Sequence, residues 1–129
     1  MRADLHLHST ASDGELTPSE LVTRAVAGGL TVLALTDHDS TAGVAEAQSV
    51  AEDLGVILLP GVELSATKDG REIHVLGYGL DPAHPTIVRR GERARAIRRD
   101  RMALMVERLR AGGVQVSLEA VETTAGSSR

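Results

Sequence analysis

The 129-residue sequence contains no cysteine, no phenylalanine and no tryptophan, and Tyr78 is its only tyrosine. Without cysteine the chain cannot form disulfides, thiolate zinc sites, iron–sulfur clusters or a thiol nucleophile. With almost no aromatic side chains, it lacks the platforms on which proteins stack nucleic-acid bases. No apolar run approaches the roughly 18 residues of a membrane-spanning helix, and the first residues lack the apolar stretch of a signal peptide. We therefore expect a cytoplasmic globular protein with an aliphatic core.

Charge is distributed unevenly along the chain. Residues 1–87 carry four basic and thirteen acidic side chains, whereas residues 88–112 carry nine arginines and three acidic side chains. An acidic segment that contains histidines favours cation binding, and an arginine-rich segment favours anion binding. The sequence therefore predicts a site for cations beside a site for anions.

Apolar patterning predicts alternating strands and helices over the first sixty residues. Strands are expected at residues 4–8, 30–35 and 56–59, from period-two alternation in the first and continuous apolar runs in the others. Two helices separate them: Thr17 caps the first, which ends at Gly28, while Ser40 or Thr41 is predicted to cap the second, which ends near Leu54. This order predicts a parallel sheet with helical crossovers.

A hairpin and two further helices are predicted next. The Asp69-Gly70 turn joins strands over residues 62–68 and 71–78. A long helix is expected from about Pro85 to Arg110, followed by a short helix with Ser117 as its cap.

Imidazole and carboxylate side chains collect at the ends of the predicted strands. His6 and His8 share one face of their strand, from which both can approach one metal ion, although an isolated pair of this kind is more often simply exposed to solvent. Asp13 and His38 follow the first two strands, and the carboxyl ends of parallel strands meet at one edge of a sheet. Either carboxylate beside His38, from Asp37 or Asp39, is expected to hold its ring, with helix capping as the alternative for Asp39.

The hairpin register adds two more candidate ligands. With a two-residue turn, Glu63 and His74 are diagonal neighbours on one face, roughly 7–8 Å apart between backbones, and a metal ion fits between their side chains. The complete candidate set is His6, His8, Asp13, His38, Glu63 and His74. Imidazoles and carboxylates without thiolates suit manganese, iron or zinc, and a multi-metal site suits hydrolysis of phosphate esters.

Four segments resemble the successive motifs of the PHP (polymerase and histidinol phosphatase) superfamily. They are DLHLHSTASDG at residues 4–14, LTDHDS at 35–40, PGVELS at 60–65 and IHVLGYG at 73–79. The most similar branch is that of stand-alone nucleoside 3′,5′-bisphosphate phosphatases and 5′–3′ exoribonucleases that act on short RNA. The resemblance implies an α/β fold, a distorted (β/α)7 barrel with a trinuclear metal site that commonly holds manganese.

The resemblance also implies roles for individual residues. The same six side chains are expected to be ligands, with Glu63 bridging two ions. Asp13 and His38 are expected to be catalytic beside a metal-activated water that acts as the nucleophile. Substrate phosphate is expected to contact the arginine-rich segment through Arg98, Arg99 and Arg101.

Complete members of the superfamily are roughly twice as long, and their later strands supply three more ligands. We therefore expect residues 1–87 to be the N-terminal part of the barrel and residues 88–129 to be a helical insertion, truncated at its C-terminal end. A partial barrel is expected to leave apolar strand faces exposed, for example at residues 30–35.

The leading functional hypothesis is a metal-dependent phosphoesterase that hydrolyses phosphate monoesters of nucleotides or acts on the 5′ ends of short RNA. It would use manganese, or zinc or iron, with up to three ions in the complete protein. Alternatives are a histidinol-phosphate phosphatase, a polymerase-associated PHP nuclease, and a non-catalytic fragment that binds metal or nucleotide.

Overall fold

Strands and helices alternate at the start of the chain and give way to helices at its end. The computed structural model describes residues 1–125. In chain order the elements are β1 (Ala3–Leu7), α1 (Pro18–Ala27), β2 (Val32–Leu35), α2 (Val44–Asp53), β3 (Ile57–Lys68), β4 (Arg71–Tyr78), α3 (Pro85–Ala111) and α4 (Leu118–Ala125). The last four residues of the predicted 88–129 insertion lie outside the described residues. Within residues 1–125, no helix has the length and apolar character needed to cross a membrane.

The strands form one sheet in the order β1-β2-β3-β4. β1 pairs with β2 and β2 with β3 in parallel, across the helical crossovers that the sequence predicts. β3 and β4 are antiparallel, with Ser65 opposite His74 and Lys68 opposite Arg71, which confirms the predicted hairpin register. The sheet is curled: the Tyr78 hydroxyl on β4 donates a 2.8 Å hydrogen bond to the Leu5 carbonyl on β1, at the other end of the strand order. This α/β arrangement is that of a partial barrel.

β3 is one continuous strand of 12 residues rather than the two predicted segments. Its first four residues pair with β2, and from Gly61 onwards it pairs with β4. A Cβ at Gly61 would lie 2.9 Å from the Leu35 carbonyl oxygen and 2.8 Å from Thr36 Cγ2. Glycine at this position therefore lets the strand pass close to β2 without a break.

The two crossover helices begin differently from one another. The predicted capping box of α1 is present: the Thr17 amide donates to Glu20 Oε2, and the Glu20 amide donates to Thr17 Oγ1. The predicted cap of α2 is wrong, because that helix begins at Val44 without a side-chain cap. The Thr41 hydroxyl donates instead to the Pro82 carbonyl, at 2.9 Å, and so binds the loop that precedes α3.

The core lies between the sheet and the two crossover helices. Its buried residues are Val22, Leu33, Leu35, Val44, Ala47, Ala51 and Leu58. Because α1 and α2 cover β2, the expected exposure of residues 30–35 is wrong: Leu33 and Leu35 are at most 1% exposed. Apolar exposure occurs elsewhere in the sheet, at Ile57 on β3 and Val75 on β4.

The long helix α3 has the predicted bounds to within one residue. His84 caps it, with Nδ1 accepting a 3.2 Å hydrogen bond from the Thr86 amide. Ser117 caps α4 as predicted, its hydroxyl accepting from the Ala120 amide.

Candidate metal centre

Backbone pairing beyond the end of β2 brings its histidine beside Glu63 of β3. His38 forms an isolated parallel bridge with Glu63. The Glu63 amide donates to the Asp37 carbonyl at 3.2 Å, and the Asp39 amide donates to the Glu63 carbonyl at 2.9 Å. The β2 extension and the middle of β3 are therefore fixed to one another where both carry candidate ligands.

Glu63 is the centre of the cluster. Its carboxylate is 6% exposed, and Oε2 lies 2.7 Å from His6 Nε2, 3.0 Å from His8 Nε2 and 3.9 Å from His38 Nδ1. The other oxygen, Oε1, lies 2.7 Å from His74 Nδ1. One buried carboxylate thus faces four imidazoles: His6 of β1, His8 directly after β1, His38 from the segment that follows β2, and His74 of β4.

Asp13 forms a second carboxylate position at the solvent side of the cluster. Its Oδ1 lies 3.1 Å from His8 Nδ1, and its Oδ2 lies 3.5 Å from His38 Nε2. Its side chain is 66% exposed, so this position is open to solvent. A side chain at position 14 would be excluded, because a Cβ there would lie 2.3 Å from the His8 carbonyl oxygen.

The structure therefore brings all six predicted ligands together. They form three overlapping groups, each with donor atoms within 4.8 Å of one another: His6, His8 and Glu63; His8, Asp13 and His38; and His38, Glu63 and His74. Each group combines imidazole and carboxylate donors, which divalent transition metals accept. The donor set fits a divalent metal centre with shared ligands.

The charges within the cluster shift two pKa values. Burial raises the pKa of the Glu63 carboxyl, but hydrogen bonds from His6 and His74 and the charges of His38 and His6 outweigh burial, and the net pKa lies below 4.5. The hydrogen bond to Glu63, with a second to Glu72, raises the pKa of His74 above 6.5. Before a metal binds, ionised Glu63 and protonated His74 therefore stabilise one another.

The expectation that Asp37 or Asp39 holds the His38 ring is wrong. Asp37 is buried, and its carboxylate accepts hydrogen bonds from the Ser9 amide at 2.7 Å, the Ser9 hydroxyl at 2.8 Å and the Ser12 hydroxyl at 2.6 Å. The three donors come from the loop that carries Asp13. Asp37 thus fixes that loop, and the His38 ring faces Asp13 and Glu63 instead.

Asp39 neither contacts the His38 ring nor caps α2. Its Oδ1 accepts a 3.0 Å hydrogen bond from the Ser65 amide. Its Oδ2 lies 2.5 Å from Arg98 Nη2, and Arg90 Nη2 lies 3.6 Å from its Oδ1. A carboxylate next to a candidate ligand therefore binds two arginines of α3.

Two cavities with shared lining residues open beside the cluster. The smaller, of about 240 Å³, is lined by Ser12, Asp13, His38, Ser65, Glu72, His74 and Arg98. The larger, of about 620 Å³, shares Ser65, Glu72 and Arg98 with it and is also lined by Arg90, Arg93 and Arg101. An anion that reaches the cluster would therefore lie between metal ligands and arginines.

The predicted phosphate-binding arginines have different surroundings. Arg98 lines both cavities and Arg101 the larger one, whereas Arg99 lines neither, and its Nε lies 3.1 Å from Glu122 Oε1 on α4. Arg90 and Arg93 also line the larger cavity, although they were not among the predicted phosphate-binding residues. Their spacing from Arg98 and Arg101 places all four on neighbouring turns of one helix face, which is the signal that would have identified them.

Comparison with known proteins identifies the family. Residues 4–110 match the PHP domain, so the chain belongs to the PHP domain family. It is 45% identical over 111 residues to a 5′-3′ exoribonuclease of Haemophilus influenzae and 43% identical over 111 residues to a 3′,5′-nucleoside bisphosphate phosphatase of Chromobacterium violaceum, each match covering 86% of this chain. A solved structure from Bifidobacterium adolescentis, an inferred metal-dependent phosphoesterase, has a TM-score of 0.87 at 35% identity and covers 97% of this chain.

The chain spans about two fifths of the length of these proteins: 40% of the exoribonuclease, 39% of the phosphatase and 43% of the solved structure. The match therefore concerns one part of each relative. In this chain, the residues that match the PHP domain include all six clustered residues.

Proposed function

We propose that this chain is part of a metal-dependent phosphoesterase whose substrates are phosphate monoesters of nucleotides, namely a nucleoside 3′,5′-bisphosphate, or the 5′ ends of short RNA. The observation that carries the proposal is the buried Glu63 carboxylate among four imidazoles, beside cavities lined by arginines. The names of the two similar proteins support the choice of substrate.

The proposed ligands are His6, His8, Asp13, His38, Glu63 and His74, with Glu63 as the bridging group. A donor set of imidazoles and carboxylates suits manganese, zinc or iron. The resemblance to the PHP superfamily makes manganese our choice among them, with up to three ions in the complete protein. When bound, such ions activate water for attack and neutralise the charge that develops on a transferring phosphoryl group.

The chain's own side chains have separate proposed tasks. Asp13 and His38 line the smaller cavity and are the proposed catalytic residues, since a phosphate in that cavity would lie against both. Arg98 and Arg101 are the proposed phosphate-binding residues, because guanidinium groups match phosphate oxygens in geometry and charge. Arg99 is left out of this set because it pairs with Glu122.

The division of the chain is part of the proposal. Residues 1–87 would form the N-terminal part of a (β/α)7 barrel, and residues 88–129 a helical insertion. The four strands and the direct packing of α3 beside the cluster support this division. The cytoplasmic location stays a prediction from the sequence.

The proposal is tested first by metal binding. Titration of the chain with Mn²⁺, followed by electron paramagnetic resonance, should show saturable binding that Glu63→Gln weakens by at least about tenfold. Glu52→Gln is the matched control, because Glu52 is exposed on α2 and its carboxylate accepts a hydrogen bond from Gln48 rather than from any of the six ligands in the described structure. Equal affinity in the wild type and Glu63→Gln would contradict the proposed centre.

Activity is tested separately, by phosphate release from a nucleoside 3′,5′-bisphosphate with Mn²⁺ present. Release that disappears in the His6→Ala, His8→Ala double variant supports the proposed reaction. The share of its relatives that the chain spans favours a second candidate, in which these 129 residues bind metal and nucleotide without turnover. Mn²⁺ and nucleotide binding without phosphate release would support this second candidate.

A further inference from the structure

Asp39 has a constrained position beside the metal centre. Its side chain is 3% exposed, and its backbone φ of 49° lies in the left-handed region that non-glycine residues rarely adopt. The Asp39 amide donates to the Glu63 carbonyl, so the residue is attached to the same strand as the central carboxylate. Its surroundings therefore determine where its carboxylate points.

That carboxylate is the point at which α3 is attached to the sheet. Oδ2 binds Arg98 Nη2 at 2.5 Å, while Oδ1 accepts from the Ser65 amide and lies 3.6 Å from Arg90 Nη2. Arg90 also donates to the Ser65 carbonyl at 2.6 Å. The two arginines are eight residues apart on α3, about two helical turns, and so both reach Asp39 from one helix face.

The backbones of α3 and the β2 extension also meet at this point. A Cβ at Gly91 would lie 2.6 Å from the Asp39 carbonyl oxygen, a separation that real Cβ atoms do not show. Any larger residue at position 91 would push α3 away from Asp39. The ion pairs and this close approach thus fix the same stretch of helix.

We propose that Asp39 is a positioning residue that holds α3 across the metal centre, so that Arg98 and Arg101 face the cavities beside the ligands. Arg98 lines both cavities and is held by Asp39. Removing the charge of a buried carboxylate that is paired with arginine leaves the arginine without its partner and loosens the attached segment. The predicted effect on phosphate binding rests on the proposed function, whereas the attachment of α3 by Asp39 does not.

Hydrogen exchange tests the attachment directly. In Asp39→Asn, the amide oxygen still accepts the Ser65 hydrogen bond and asparagine tolerates the left-handed backbone, so the variant isolates the charge. Amides of residues 90–101 should exchange about tenfold faster than in the wild type. Arg98→Met should have the same effect and Arg98→Lys a smaller one, because lysine keeps the charge.

Arg89→Met is the matched control on α3, since Arg89 has no ion pair within residues 1–125. This variant should leave the exchange rates of residues 90–101 unchanged. Wild-type exchange over residues 90–101 in Asp39→Asn would overturn the proposal. Faster exchange throughout the chain would also overturn it, because that would show a general loss of stability rather than the release of α3.

The affinity for phosphate distinguishes two roles of Asp39: holding α3 in place, or acting only through its negative charge. If Asp39 acted only through its negative charge, Asp39→Asn would bind inorganic phosphate more tightly, since a repulsive charge is removed. If Asp39 positions α3, binding should weaken by about tenfold because the arginines must be ordered when the anion binds. Calorimetric titration of the Mn²⁺-loaded chain with inorganic phosphate measures the difference, and tighter or unchanged binding in the variant would overturn the positioning role.

Measuring Mn²⁺ affinity distinguishes a failure of the positioning role of Asp39 from a failure of the proposed metal-dependent function. Asp39 contacts none of the six proposed ligand side chains in the described structure, so Asp39→Asn should bind Mn²⁺ like the wild type. A wild-type chain that binds no Mn²⁺ would contradict the proposed function, while the exchange measurement would still decide whether Asp39 holds α3.

Discussion

Ser12 Oγ donates a 2.6 Å hydrogen bond to Asp37 Oδ1, and both side chains are buried. Ser9 completes the contact through its amide and its hydroxyl. The carboxylate that precedes His38 therefore determines the conformation of the loop that carries Asp13, while the carboxylate that follows His38 binds α3. Two acidic residues on either side of one candidate ligand thus position different parts of the site.

Replacing Ser12 by alanine should destabilise the chain by about 1–3 kcal/mol, because a buried carboxylate loses one of its hydrogen-bond donors. Urea unfolding measures the change. Ser19→Ala is the matched control, since the Ser19 hydroxyl also donates a 2.6 Å hydrogen bond to a carboxylate, that of Glu46, but at an exposed position. The control should change stability by no more than about 0.5 kcal/mol. Equal losses in the two variants would contradict the structural role of Asp37.

Replacing Gly14 by alanine should distort the loop between β1 and α1. The added Cβ would lie 2.3 Å from the His8 carbonyl oxygen, and backbone atoms there cannot move aside without displacing His8. We expect a loss of about 1–3 kcal/mol in stability, together with weaker Mn²⁺ binding. Gly77→Ala is the control, since its nearest contact would be 3.6 Å, and it should leave Mn²⁺ affinity unchanged.

The stability of the metal-free chain should be greatest in mildly acidic solution. The pKa of Glu63 is lowered from 4.5, so its contribution is present above pH 4.5 and is lost as the pH falls through the lowered value. The pKa of His74 is raised from 6.5, so its contribution is complete below pH 6.5 and is lost as the pH rises through the raised value. Both contributions are therefore present between pH 4.5 and 6.5.

Urea unfolding in the presence of a chelator, at a series of pH values, checks this dependence. His74→Gln should flatten the alkaline side of the profile and only weaken the acidic side, because His6 and the charge of His38 still lower the pKa of Glu63. With Mn²⁺ bound, the chain should instead be more stable above pH 6 than below it. Ligand imidazoles must be neutral, so Mn²⁺ binding, and the stability that it adds, weakens as the pH falls through about 6. A metal-free chain that gains stability steadily above pH 6.5 would refute the prediction for His74.

Arg101 and Arg99 should differ in their effect on phosphate binding, although they are two residues apart on one helix. Arg101 lines the larger cavity, while Arg99 pairs with Glu122. We expect Arg101→Ala to weaken binding of inorganic phosphate to the Mn²⁺-loaded chain by about tenfold, the loss of one charge-assisted contact. Calorimetry should show no comparable change for Arg99→Ala. The reverse order would mean that the arginines bind phosphate on a different helix face.

The sheet, and the proximity of the six candidate ligands, could be predicted from the sequence because the strands and the hairpin turn follow from local patterns. A two-residue turn at Asp69-Gly70 determines the hairpin register, and period-two alternation places His6 and His8 on one face. The partners of Asp37 and Asp39 depend instead on how a loop and a distant helix pack against the end of β2. No local pattern specifies that packing, so the prediction that Asp37 or Asp39 holds the His38 ring, or that Asp39 caps a helix, was wrong.

The change of partner along β3 has a consequence for the order in which the centre assembles. Glu63 and His74 belong to a hairpin with a two-residue turn, and hairpins form in about 1–10 μs. His6, His8 and His38 reach Glu63 only after parallel pairings that join residues as distant in sequence as Val32 and Ile57, and closing such long loops delays contact formation. We therefore expect the hairpin to fold first and bring Glu63 and His74 together, and the other candidate ligands to join them later.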